Sequence, residues 1–228
     1  MLRFDGVQLD RDGFDLSADF DVPPGLTAVI GPSGAGKSTL LDAVSGFLEP
    51  RAGRVLWQGR DLAPLAPGQR PVSILFQENN LFPHLDIARN VAFGLAPTGR
   101  LTRAEADRRD EVLDQVGLTG LAHRRPGQLS GGQQSRAALA RVLVGDRPIV
   151  LLDEPFAALG PGLKSEMLDL VSVLLGQRTV LMVTHEPEDA RAHASHAIFV
   201  DGGVAAAPLP IGPFFATPPD GLRAYLGT

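Results

Sequence analysis

The run Leu26-Thr27-Ala28-Val29-Ile30 ends directly on Gly31-Pro32-Ser33-Gly34-Ala35-Gly36-Lys37-Ser38, after which Leu40, Leu41, Val44 and Phe47 fall at helical spacing. A buried strand that enters a helix through a glycine-rich turn restricts the chain to an α/β fold. The glycines let the backbone curl so that successive amides converge on one point, and the helix that follows adds its positive N-terminal end. The spacing G-x-x-x-x-G-K-S thus describes a phosphate cradle. Lys37 is directed at the outer phosphates of a nucleotide and Ser38 at Mg²⁺, with Pro32, Ser33, Ala35 and Thr39 completing the ATP-binding stretch.

The remaining pattern supports this placement. Leu16, Ala18, Phe20 and Val22 alternate with Ser17, Asp19 and Asp21, the period of a half-buried strand. Further strands are predicted over residues 54–58 and 72–76. Thr102-Arg103-Ala104-Glu105 is a capping box opening a helix whose buried face is Val112, Leu113 and Val116, and which Gly117 stops. A second helix is expected from Ser130-Gly131-Gly132. Two apolar runs, Ile149 to Leu152 and Val180 to Val183, enclose a helix over residues 163–175, the arrangement of a parallel sheet covered on both faces. With 228 residues the chain is expected to form one domain, with a mostly helical insertion over roughly residues 78–140.

A formal net charge of −5 gives no electrostatic basis for binding nucleic acid. There are no cysteines, which excludes disulfides, thiolate metal sites and a cysteine nucleophile. No apolar stretch approaches the ~20 residues that span a bilayer, so membrane association would require a partner that crosses it.

Asp153 and Glu154 follow Ile149-Val150-Leu151-Leu152, where a buried parallel strand delivers its carboxyl end to a ligand crevice. Asp153 is placed to hold Mg²⁺. Glu154 is placed to deprotonate an attacking water, as phosphoryl transfer to water requires. Leu129-Ser130-Gly131-Gly132-Gln133 offers a second phosphate-reading arrangement at a helix start, one that would serve the nucleotide of a second copy.

With these motifs in their order, the chain resembles the ATP-binding subunits of ATP-binding-cassette (ABC) importers along nearly its whole length. The resemblance implies a P-loop NTPase (RecA-like) parallel sheet core with an N-terminal antiparallel β portion and a helical signature-motif subdomain. It implies a single nucleotide-binding domain, with residues 1–77 and 145–228 as catalytic core and about 78–140 as helical subdomain. Gln77 matches the family's glutamine loop, which touches ATP and Mg²⁺ and relays the nucleotide state to the membrane partner. His185 matches the switch histidine that contacts the γ-phosphate, and His84, His123, His193 and His196 are expected on the surface. Ser130, Gly131, Gly132 and Gln133 match the signature motif that binds ATP in trans, which implies a homodimer. Two departures stand out. Gly160 replaces an aspartate that helps couple the two active sites, and the adenine-stacking aromatic is absent from its usual place, leaving Phe14 or Arg11 as alternatives.

Within the family, Gln77-Glu78-Asn79-Asn80-Leu81-Phe82 looks most like the ATP-binding subunits of bacterial thiamine importers. That likeness implies a transmembrane permease, a periplasmic thiamine-binding protein and a peripheral position on the cytoplasmic face of the inner membrane. Importers of polyamine, iron or sulfate, and an ABC ATPase that drives no transport, are the alternatives. The latter usually carries a long coiled-coil insertion or two cassettes, which this length does not hold. Residues 78–94 are expected to offer the permease a docking groove, with Leu81 and Phe82 either lining it or capping the core.

Overall fold

Alternating apolar residues at the start of the chain pair into an antiparallel layer, while continuous apolar runs form a parallel one. The computed structural model describes residues 1–11, 13–96, 98–218 and 220–226. In chain order the elements are β1 (Leu2–Arg11), β2 (Phe14–Val22), β3 (Gly25–Ile30), α1 (Lys37–Ser45), β4 (Ala52–Trp57), β5 (Arg60–Asp61), β6 (Val72–Leu75), α2 (Ile87–Ala92), α3 (Arg103–Gln115), α4 (Gly131–Val144), β7 (Ile149–Asp153), α5 (Pro161–Leu175), β8 (Thr179–Val183), α6 (Pro187–His193), β9 (His196–Asp201), β10 (Val204–Ala205), β11 (Leu209–Pro210), α7 (Ile211–Ala216) and α8 (Asp220–Leu226).

The strands follow the path β5-β4-β1-β2-β10-β9-β3-β8-β7-β6, with β11 paired to β9. From β9 to β6 all neighbours are parallel, and β1, β2, β4 and β5 pair antiparallel. Because β3, β7 and β8 run the same way, the glycine-rich loop, Asp153-Glu154 and Thr184-His185 all leave the same edge of the sheet. That edge is where α/β folds of this kind hold ligands.

β7 and β8 are buried on both faces. Ile149, Leu151, Leu181 and Val183 join a cluster with Leu40, Leu41 and Val44 of α1 and the antiparallel strands. Val150, Leu152, Val180 and Met182 join a second cluster with α4, α5 and the helical segment. Helix α1 thus packs on one face of the sheet and α4 and α5 on the other.

Two expectations are corrected. Phe47 does not continue the buried face of α1, because the helix ends at Ser45 and Gly46 turns left-handed at φ +88°. Phe47 stands exposed and stacks on exposed Phe76, ring centroids 6.3 Å apart. His193 is not a surface residue either: its side chain is only 8% exposed, with Nδ1 3.4 Å from Asp169.

Candidate active site

Gly36 caps α1 with φ +96°, a conformation that lets the loop fold over the helix end, and a Cβ there would meet the Phe14 ring at 2.7 Å. The Lys37 side chain is buried and donates to the carbonyls of Gly31 (2.9 Å) and Pro32 (2.8 Å). Burial holds its ammonium below the ordinary lysine value, partly opposed by Glu154 and then Asp153. The cradle is therefore formed, with a cation lying in it.

Ser38 donates to Asp153 Oδ1 at 3.1 Å, joining the first turn of α1 to the end of β7. Burial pushes the Asp153 carboxyl up, the Ser38 hydrogen bond pulls it down, and the charges of Glu154 and Asp42 raise it again. A hydroxyl bonded to a desolvated carboxylate that has a second carboxylate beside it fits a divalent cation, whose charge would offset both penalties. Gln77 lies exposed beyond β6 and does not line this cleft.

Glu154 and Phe156 both take left-handed backbone conformations, φ 45° and 64°. Non-glycine residues there carry strain of roughly 1–3 kcal/mol each and gather at functional sites. The amide of Glu154 donates to the Val183 carbonyl at 3.1 Å, which anchors the turn to β8. The Glu154 carboxylate meets His185 Nδ1 at 3.3 Å, bringing together the two residues assigned to hydrolysis.

Arg11, Phe14, Ser33, Gly34, Gly36, Lys37, Ser38, Thr39 and Glu154 line one cleft of about 340 Å³. Arg11 is held by Asp42 at 2.6 Å, so its guanidinium is fixed at the cleft wall, while Phe14 covers Gly36. Both base-stacking alternatives thus border the same space.

Ser130 to Gln133 do not border it. The Ser130 hydroxyl instead accepts from the Gln133 amide at 3.3 Å, and Gln133 Oε1 accepts from the Ser130 amide at 3.0 Å. This capping box occupies the serine side chain and leaves the Gly131 and Gly132 amides, at the first positions of α4, without an intrahelical acceptor.

Four supporting residues escaped the sequence reading. Lys164 of α5, with a side chain 8% exposed, binds Glu186 (2.8 Å) and Asp189 (2.6 Å) beneath the His185 turn. Arg141 of α4 donates to the carbonyls of Asn79 (2.9 Å) and Asn80 (2.8 Å), fastening the segment after Gln77. Fully buried Asn90 accepts from the Phe82 amide and donates to the carbonyls of Phe82, Leu85 and Asp86. Tyr225 of α8 donates to the His185 carbonyl at 2.9 Å. No local motif announces any of them. A polar residue inside an apolar helix face, as at Asn90 and Lys164, is the one signal available.

The ABC transporter family model matches residues 17–157. The thiamine import ATP-binding protein ThiQ of Cereibacter sphaeroides is 57% identical, covering 100% of both chains. ThiQ of Ruegeria sp. is 51% identical over 100% of both, and ThiQ of Mesorhizobium japonicum is 48% identical over 97% of this chain and 91% of its own. Among solved structures, the dimeric post-hydrolysis state of the ATP-binding cassette MJ0796 bound to ADP and Pi is similar with TM-score 0.77 and 27% identity, over 92% of this chain and 99% of that one. The cbiO1 protein of Clostridium perfringens, part of the ABC transporter complex cbiONQ, gives 0.82 and 28% over 95% and 90%. A family match over more than half of the chain and relatives alike from end to end lead to one conclusion: the chain belongs to the ABC transporter family, as one of its ATP-hydrolysing subunits.

Proposed function

We propose that this chain energises thiamine import through a membrane permease, working as a homodimer that closes around two ATP molecules. The observation that carries the hydrolytic part is the convergence of Lys37, Ser38 and Glu154 on one cleft, with Asp153 bonded to Ser38 and His185 beside Glu154. The named activity of the ThiQ relatives supports thiamine as the solute.

The loop amides from Gly31 to Thr39 and the Lys37 ammonium hold the phosphates of ATP, the ammonium exchanging its two carbonyl partners for phosphate oxygens. Ser38 and Asp153, with Gln77 from its exposed loop, would hold Mg²⁺, which when bound neutralises charge on the phosphate oxygens. Glu154 takes the proton of the attacking water, and His185 orients that carboxylate while facing the γ-phosphate. Ser130, Gly131, Gly132 and Gln133 of a second copy complete the site, the open amides of Gly131 and Gly132 supplying donors to the nucleotide. Closure is driven by the higher affinity of ATP for the closed dimer.

Residues 1–77 and 145–228 serve as catalytic core and about 78–140 as the helical subdomain. The permease docks against residues 78–94, where Phe82 is 41% exposed and rests on Phe93, ring centroids 5.2 Å apart, while Leu81 packs on the core. Among the described residues no helix is long and apolar enough to cross a membrane. The chain sits peripherally on the cytoplasmic face of the bacterial inner membrane, held by that permease.

The test is to copurify the chain with its permease and compare solute-loaded periplasmic binding proteins as stimulants of ATP hydrolysis. Stimulation by the thiamine-loaded protein is expected. Stimulation by a polyamine-, iron- or sulfate-loaded protein and none by thiamine overturns the solute assignment.

A further inference from the structure

The turn that carries His185 is fixed on both flanks. On one side the Thr184 amide donates to the Val29 carbonyl at 3.3 Å, tying the end of β8 to β3. On the other, the Glu186 amide donates to Thr184 Oγ1 at 3.1 Å and the Glu186 carboxylate is held by Lys164. These contacts hold the N–H side of the His185–Glu186 peptide, and what they leave open is a donor for its other side, the His185 carbonyl, which completes the fixing of the backbone that carries the His185 side chain. Tyr225, the only tyrosine in the chain, fills that role by donating its phenol to the His185 carbonyl at 2.9 Å.

The donor stands on firm ground. Leu222, one turn earlier on α8, is fully buried, and the Tyr225 ring packs on the larger core cluster. Burial, and then the nearby charge of Glu154, push the phenol above its ordinary value, so it keeps its proton and remains a donor. The same charge marks Tyr225 as a neighbour of the Glu154–His185 pair.

We propose that Tyr225 is a positioning residue for ATP hydrolysis, holding the His185 peptide so that the imidazole meets the Glu154 carboxylate. This rests on the reading of Glu154 and His185 as the hydrolytic pair. The helix α8, remote in sequence from both, thereby becomes part of the hydrolytic apparatus.

The experiment uses the full chain and Tyr225→Phe, which keeps the ring and removes only the donor. A fall in kcat of about tenfold is expected, the effect of misorienting a reacting group. KM for ATP should stay unchanged, and the melting temperature should stay within about two degrees. In a His185→Ala background the same substitution should cause no further loss, because it acts through that ring. The ring ¹⁵N resonances of His185, assigned by loss in His185→Ala, should shift in Tyr225→Phe while those of the other four histidines hold. Wild-type kcat in Tyr225→Phe overturns the proposal, as does a kcat loss that persists undiminished without His185 or an unmoved His185 resonance. Glu154→Gln separates the two levels. If it hydrolyses at the wild-type rate, the hydrolytic pair and the proposal fall together; if it is inactive while Tyr225→Phe is not impaired, only the proposal falls.

Discussion

At Gly36 the backbone stands at φ +96° and an added Cβ would press on the Phe14 ring, whereas at Gly160 the backbone is ordinary (φ −64°) and the space is open. Left-handed strain of ~1–2 kcal/mol means Gly36→Ala should weaken ATP binding by about tenfold or more, measurable by titration calorimetry. Gly160→Asp has the opposite outlook. Gly160 is the N-cap of α5 with no side-chain bond, and an aspartate there gains a few tenths of a kcal/mol, roughly one degree in melting temperature. Because the resemblance implies an aspartate here that couples two active sites, Gly160→Asp should, if the chain works as the proposed homodimer, also steepen the dependence of hydrolysis on ATP concentration. Glu154→Gln, which keeps the shape of the side chain, should lower turnover by roughly 10²–10⁴-fold while retaining ATP, the loss typical of a removed general base. At this scale the meeting of Lys37, Ser38, Asp153 and Glu154 was legible because each pair stands in consecutive residues. Tyr225 and Lys164 were not, since their partners come from other elements and only folding brings them together.

The elements that the apolar spacing marks were legible in kind and slightly misplaced at their ends, whereas β5 and the elements from α6 to α8 have no reading in the sequence pattern. Apolar spacing carries no mark of where the backbone turns, which is why Phe47 fits the helical spacing of Leu40, Leu41 and Val44 although Gly46 ends α1 and leaves Phe47 exposed. The loop from Phe82 to Asp86 has no periodicity at all; its shape comes from Asn90, whose carboxamide satisfies four backbone groups. Asn90→Ala would strand them, with an expected loss of about 1–3 kcal/mol in chemical denaturation. Helices α5 and α6 are joined by Lys164 with Asp189 and Glu186. Burial alone would lower the Lys164 value, but the hydrogen bonds it donates to Asp189 and Glu186 and their charges raise it, and the Lys164 bond holds the Glu186 carboxyl down. The lysine's contribution is fully present below the ordinary lysine value and disappears as pH rises through the raised folded one. The glutamate's is present above the ordinary glutamate value and disappears as pH falls through the depressed one. Lys164→Met should therefore lower the melting temperature across the neutral range, on the order of 3 kcal/mol for breaking a buried pair, and the deficit should shrink in strong alkali and in strong acid.

For the whole molecule, one copy does not join the phosphate cradle and the segment from Ser130 to Gln133 in a single cleft. Intersubunit complementation tests whether two copies do. Lys37→Ala removes the cradle's cation. Gly131→Glu places a negative charge at the start of α4, where an added Cβ meets only Leu159 at 3.7 Å and so should not disturb folding. Each variant alone should be inactive, and their mixture should regain hydrolysis through heterodimers that hold one intact site. An inactive mixture would mean that the signature segment serves no site in trans. The sheet that aligns these parts was readable from its apolar runs, but its strand order was not, because runs apolar on both faces carry no mark of their neighbours.

That same double-faced burial has a consequence at β7. Sliding this strand by one residue would exchange Ile149 and Leu151 for Val150 and Leu152 between the two clusters and leave an equally oily ribbon. Water has little stake in which alignment is chosen; the aspartate that must reach Ser38 has everything at stake. One-residue shifts in this strand should therefore sort by turnover far more sharply than by melting temperature, so that selection holds the strand in place chiefly through the reaction at its tip.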